Sequence, residues 1–141
     1  MKRTASAVWQ GNLKEGRGSI STESGVLAQT PYSFSTRFEN ARGTNPEELI
    51  AAAHAACFSM ALSAELGKAS LAPESIRTTA ALTMEKLEAG FTVTQIHLDV
   101  AAKIPGGDAQ KFAAAANAAK VGCPISRLLN TKITMDAKLE P

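Results

Sequence analysis

The chain has 141 residues, 45% of them apolar and 20% charged, which is enough to bury a core as one domain over residues 1–141. Its net charge of +2 is too small to argue for nucleic acid or a membrane surface as a partner. Two cysteines in a chain this long do not make a secreted disulfide scaffold, and the N-terminus MKRTASAVWQG lacks the apolar run of a signal peptide. The expected compartment is therefore the reducing cytoplasm, where paired thiols serve catalysis or sensing.

Thr4 to Gln10 alternates and ends in Trp9, a strand pattern, and GNLKEGRG turns it into a second strand over Ser19–Thr22. Val26 to Gln29 reads as short and extended. Tyr32 to Glu39, YSFSTRFE, places Phe34, Thr36 and Phe38 on one side and Ser35 and Arg37 on the other, again an extended pattern. Arg37 stands between two aromatics; it is either a surface arginine lying over apolar neighbours or a cation held for use elsewhere.

Gly43 to Leu66, GTNPEELIAAAHAACFSMALSAEL, predicts one long helix. Asn45 is its N-cap, Pro46 its first residue, and Glu48 falls where a capping box would place it. Leu49, Ile50, Ala53, Cys57, Met60, Ala61 and Ala64 form an apolar stripe, and the opposite face is small rather than charged. Such a helix is central, or packs against a second copy of itself. The run is nearly the roughly 20 residues a membrane span needs, but His54, serines and bracketing glutamates favour a buried helix in a soluble protein.

Beyond the loop at Pro73, Ile76 to Glu88 and Phe91 to Ile104 alternate as a long hairpin. Phe91 and Val93 are out of phase with the rest, which predicts a bulge or a change of buried face. His97 falls on the polar side. Pro105 to Asp108 opens a helix over Ala109–Val121, with Phe112, Ala115, Ala116 and Ala119 on one face and Gly122 as its stop. Pro124 starts a further short helix with Cys123 as its cap. Thr131 to Leu139 is a final strand of antiparallel type with one wet face. The order predicts an α+β fold, mainly antiparallel sheet with helices on one face.

The thiols pose a local problem. Cys57 lies about three turns into its helix, beyond reach of the dipole, and a buried cysteine in apolar surroundings is inert unless a cation is brought to it. Cys123, at a helix start with Arg127 nearby, has the local features of the more acidic thiol. His54 and Cys57 share a helix face, yet no second pair at ligand spacing accompanies them, so no metal site is expected.

The segments FSTRFE, GTNPEELIAAAHAACFSMAL and VGCPIS resemble the corresponding segments of the OsmC/Ohr family, the osmotically inducible and organic-hydroperoxide-resistance proteins. The resemblance runs over essentially the whole chain without a departure at the motif positions. The arginine within FSTRFE, just before the long helix, is similar to the OsmC branch, whereas in the Ohr branch it comes from nearer the N-terminus. The resemblance implies an OsmC-like fold with sheets around a long central helix and an intertwined homodimer. It implies that Cys57 is the peroxidatic thiol, Cys123 the resolving thiol, Arg37 the stabiliser of the Cys57 thiolate and Glu47 the residue that orients Arg37. It also implies reduction of organic hydroperoxides, and more slowly hydrogen peroxide, without a cofactor. Both thiols would then be regenerated by an external dithiol of lipoyl-bearing kind. The competing readings are a non-catalytic stress protein and a redox sensor of the same fold; the sequence has no basic recognition helix for a DNA-binding sensor.

Overall fold

The computed structural model describes all residues, Met1 to Pro141, in two compact units, Met1–Leu49 and Ile50–Pro141. In the first, β1 (Ala5–Gln10), β2 (Arg17–Thr22) and β3 (Thr30–Tyr32) form an antiparallel sheet in that order. The third strand begins after the Val26–Gln29 stretch expected to be extended, because Gln29 takes a left-handed backbone with φ 51°. Gly18, on the middle strand, lies opposite Trp9 on one side and Tyr32 on the other. A Cβ there would collide with both rings, so glycine lets Trp9 and Tyr32 meet across β2 at 5.5 Å.

FSTRFE is not extended. Phe34–Phe38 is a short helix, α1. Ser33 caps it: its hydroxyl accepts from the Thr36 N–H, and the Thr36 hydroxyl accepts from the Ser33 N–H at 2.9 Å. The alternation misleads because a spacing of four suits both periods. Phe34 and Phe38 fall on one side of a strand, yet they also stack one turn apart on a helix, here with ring centroids 4.9 Å apart.

The long helix α2 runs from Pro46 to Lys68. Asn45 caps it, accepting from the Glu48 N–H at 2.8 Å. Glu48 does not complete the box; its carboxylate takes the Thr44 hydroxyl instead. By length and hydropathy α2 is the one helix apolar enough to cross a membrane.

In the second unit, β4 (Ser75–Leu87) and β5 (Gly90–Lys103) form the long antiparallel hairpin. Its register slips at Thr83/Met84, where Gln95 and Val93 are successive partners and Thr94 is the extra residue, the bulge that the phase change requires. α3 (Ala109–Gly122) and α4 (Pro124–Leu128) then cross over to β6 (Lys132–Glu140). β6 pairs parallel to β5, not antiparallel as its wet face suggests. A helical crossover is the connection a parallel pair needs, and one-sided burial leaves strand direction open. The fold is α+β, with three antiparallel strand pairings and one parallel.

The core of this unit joins Ile96, Leu98, Val100 and Ala102 of β5, with Ile104 just beyond it, to one face each of α2 and α3. On α3 that face is Phe112, Ala115, Ala116 and Ala119, as periodicity predicts. On α2 the buried side chains are His54, Phe58, Leu62 and Leu66. The expected stripe is thus rotated: Ile50, Cys57 and Ala61 border the core, but Ala53 and Ala64 are exposed and Met60 is 77% exposed. Bulk sets the phase, because each buried Phe or Leu contributes about 1.5–3 kcal/mol and an alanine far less.

Candidate active site

Cys57 and Cys123, 66 residues apart, meet in the second unit with the Cys123 thiol donating to the Cys57 sulfur at 2.9 Å. Both are free thiols; Cys57 is half-buried and Cys123 fully buried. Closing that gap to the roughly 2.05 Å of a disulfide is a small displacement. The crossover makes the meeting possible. The N–H of Cys123 closes the last turn of α3 on Ala119, and Pro124 immediately starts α4. The thiol is thereby fixed at the corner between two helices, facing α2.

The surroundings raise the Cys57 pKa. Burial is the main cause, followed by the hydrogen bond with Cys123, with repulsion between the two sulfurs adding to it. The N–H of Ile125 works the other way by donating to Cys57. That donor corrects the local reading of α4. Cys123 occupies the N-cap position but its side chain makes no capping bond, and the free N–H behind Pro124 serves Cys57. The signal was present in the sequence: a proline at the first helical position leaves the next N–H groups without partners.

One turn from each thiol is a second, polar contact. His54, three residues before Cys57, shares a 2.7 Å hydrogen bond between Nε2 and the hydroxyl of Ser126, three residues after Cys123. Both residues are buried, and His54 Nδ1 has no partner. Burial lowers the His54 pKa, which favours the neutral ring. Sequence reasoning set His54 beside Cys57 as a metal-like pair and passed over Ser126.

Arg37 and Glu47 meet in the first unit. Nε and Nη2 of Arg37 reach the same oxygen, Glu47 Oε1, at 2.8 and 2.7 Å. The pair is built from its caps. Asn45, while capping α2, donates its amide N–H to the carbonyl of Thr36 at 3.1 Å, which ties the end of α1 to the start of α2. Arg37 follows Thr36, and Glu47 stands in the first turn of α2, where a carboxylate is favoured by the free N–H groups. The guanidinium also lies over the Phe38 ring at 5.0 Å, so a cation resting on apolar neighbours is realised together with the ion pair. Beside it is a cavity of about 210 Å³ lined by Trp9, Leu13, Tyr32, Ser33, Phe34, Arg37 and Phe38.

Chemically, the second unit holds two reduced thiols poised to join, and the first holds an oriented cation in an aromatic hollow. The family model described as "OsmC-like protein" matches residues 39–138. The chain is 54% identical to Peroxiredoxin OsmC of Escherichia coli (strain K12) over 134 residues, 95% of this chain and 94% of the relative. It is 32% identical over 124 residues to the organic hydroperoxide resistance protein OhrB of Bacillus subtilis (strain 168), covering 87% and 88% of the two chains. The crystal structure of that OhrB superposes with a TM-score of 0.68 over 97% of this chain and 98% of the other, at 26% identity in the structural alignment.

Proposed function

Since the chain belongs to the OsmC family, we propose that it is a thiol-dependent peroxidase that reduces organic hydroperoxides, and more slowly hydrogen peroxide, with Cys57 and Cys123 as its working thiols. The observation that carries the reading is the 2.9 Å contact between two free thiols on separate helices. Inert core cysteines have no need to share one bond.

The Cys57 thiolate attacks the terminal peroxide oxygen. The O–O bond breaks, the alcohol leaves with a proton, and Cys57 becomes a sulfenic acid. Cys123 then attacks that sulfur; the S–S bond forms and water departs. Cys57 needs a cation for the first step, because its own surroundings raise its pKa. Arg37 supplies it and also donates to the leaving oxygen, where negative charge develops. Glu47 holds the guanidinium in one orientation by engaging two of its nitrogens.

An external dithiol, for which a lipoyl-bearing protein is the family-type choice, reduces the disulfide by exchange. The chain works in the cytoplasm as a homodimer. Support for the dimer comes from the outer face of α2, where Ala52, Ala53, Ala56, Met60 and Ala64 are exposed without a charge among them. Residues 1–141 act as one OsmC-like domain, a reading supported by the alignment with Peroxiredoxin OsmC over 95% of this chain.

The test is mass spectrometry of the reduced protein after one equivalent of cumene hydroperoxide, with hydrogen peroxide in parallel. The expected result is loss of two hydrogens and a peptide linking Cys57 to Cys123, faster with cumene hydroperoxide. An unchanged mass would make both thiols structural and the proposal wrong.

A further inference from the structure

We infer that the His54–Ser126 hydrogen bond is a positioning clasp that keeps Cys123 within reach of Cys57 while the thiol–thiol contact is broken. The inference rests on the thiol cycle proposed above. α2 and the corner at α4 are joined at two levels: at Cys57, which meets the Cys123 thiol at 2.9 Å and the N–H of Ile125, and one turn along each helix, where His54 meets Ser126 at 2.7 Å. The first changes at every step of the cycle. When Cys57 becomes a sulfenic acid, an oxygen enters beside its sulfur, and the hydrogen bond that the Cys123 thiol made to that sulfur is lost. Cys123 must then approach the sulfur from the side opposite the departing oxygen.

By itself α4 is a weak hold on Cys123, with Ile125 packed against the core as its apolar anchor. It has five residues and no side-chain cap, too short to be stable alone. The second tie takes no part in the chemistry. Its donor and acceptor are buried, a neutral ring facing a hydroxyl, so solvent does not compete for it. A fixed pivot one turn from the moving sulfur limits Cys123 to small excursions and keeps the effective concentration of one thiol at the other high. His54 and Ser126 are positioning residues; neither touches the peroxide in this scheme.

The experiment separates the two steps. Ser126→Ala removes one hydroxyl and Ser126→Thr keeps it, with circular dichroism confirming that both fold. Formation of the Cys57 sulfenic acid is followed by dimedone trapping, and closure of the disulfide by rapid quench and mass spectrometry. Ser126→Ala is expected to slow closure about tenfold or more while leaving sulfenic acid formation within about twofold. Dimedone adducts at Cys57 accumulate in consequence, and Ser126→Thr restores closure. Independently of peroxide, the effective concentration of the two thiols measured against glutathione falls by a similar factor in Ser126→Ala. Should Ser126→Ala not fold, His54→Leu cuts the same bond from the other helix and is held to the same outcome. Closure at the wild-type rate in the cutting variant, or an equal slowing of both steps, overturns the clasp. If the glutathione measurement falls as expected but wild-type Cys57 yields no sulfenic acid, the clasp stands and the peroxidase reading fails.

Discussion

The ion pair at the start of α2 and the thiol pair within the second unit are built by opposite means. Arg37 and Glu47 are ten residues apart, and two capping side chains, Ser33 and Asn45, suffice to set the helix ends that carry them. The pair is partly open to water, with the Arg37 side chain 38% exposed. Cys57 and Cys123 are brought together only by a whole crossover through α3 and α4 into a parallel strand pair. A charge is assembled locally and left accessible, while the sulfurs are assembled globally and enclosed. The proposed cycle calls on both, because the enclosure that protects Cys57 also raises its pKa and a cation would offset that.

The largest effect that breaks this division of labour is removal of the reacting sulfur. Cys57→Ser is expected to lower peroxidase turnover by about 10³-fold or more, read with cumene hydroperoxide and dithiol, since a hydroxyl is a far weaker nucleophile than a thiolate. Appreciable turnover in this variant would sink the assignment.

Removing the cation comes next. Arg37→Met keeps much of the apolar stem and is expected to cost about 10²–10³-fold in Cys57 oxidation. Its pH profile sharpens the comparison. With the cation gone, only the second unit's own surroundings act on Cys57, and they raise its pKa above the ordinary 9.0. The rise of rate with pH therefore moves to higher pH in Arg37→Met than in the wild type. A profile in the same place would show that Arg37 does not act on the thiolate. Glu47→Gln leaves the cation but loosens its orientation, for an expected loss of roughly 10–100-fold with the profile shifted less.

The smallest effect concerns stability. The His54 pKa is lowered in the folded state, so the unfolded chain binds the proton more readily. The stability contributed by keeping the ring neutral is present above the ordinary value of 6.5 and is lost as pH falls from there toward the folded pKa. Denaturant titrations of wild type and His54→Gln at pH 7.5 and pH 5 should show the wild type losing more stability at the lower pH. Equal losses would mean that the ring does not resist protonation.

Two alanine-rich helices show what the sequence could and could not disclose. In α3 the lysines and polar residues mark the wet side, so the buried face Phe112, Ala115, Ala116 and Ala119 is legible. From Leu49 to Ala64, α2 carries no aspartate, glutamate, lysine or arginine to mark one. Its phase is set by Phe58, Leu62 and Leu66, and a histidine joins them because a serine from a distant helix satisfies it. α1 escaped because a four-residue spacing suits strand and helix alike, and the direction of β6 because alternation carries no direction. The four residues singled out for chemistry were named through family resemblance rather than local physics. Local physics left Cys57 without a cation and did not foresee the N–H of Ile125 beside its sulfur.

The crossover has a consequence for how the protein is made. The 66 residues from Phe58 through Cys123 take about 3 to 13 seconds to synthesise at typical rates of about 5–20 residues per second, and β6 follows only after them. Throughout that interval each nascent chain carries Cys57 without the residue that would trap its sulfenic acid. An oxidant met during those seconds can drive the sulfur on to the irreversible sulfinic state. The chain is therefore most vulnerable to its own substrate class before its last helix exists, and molecules finished before an oxidant pulse are expected to outperform those begun within it.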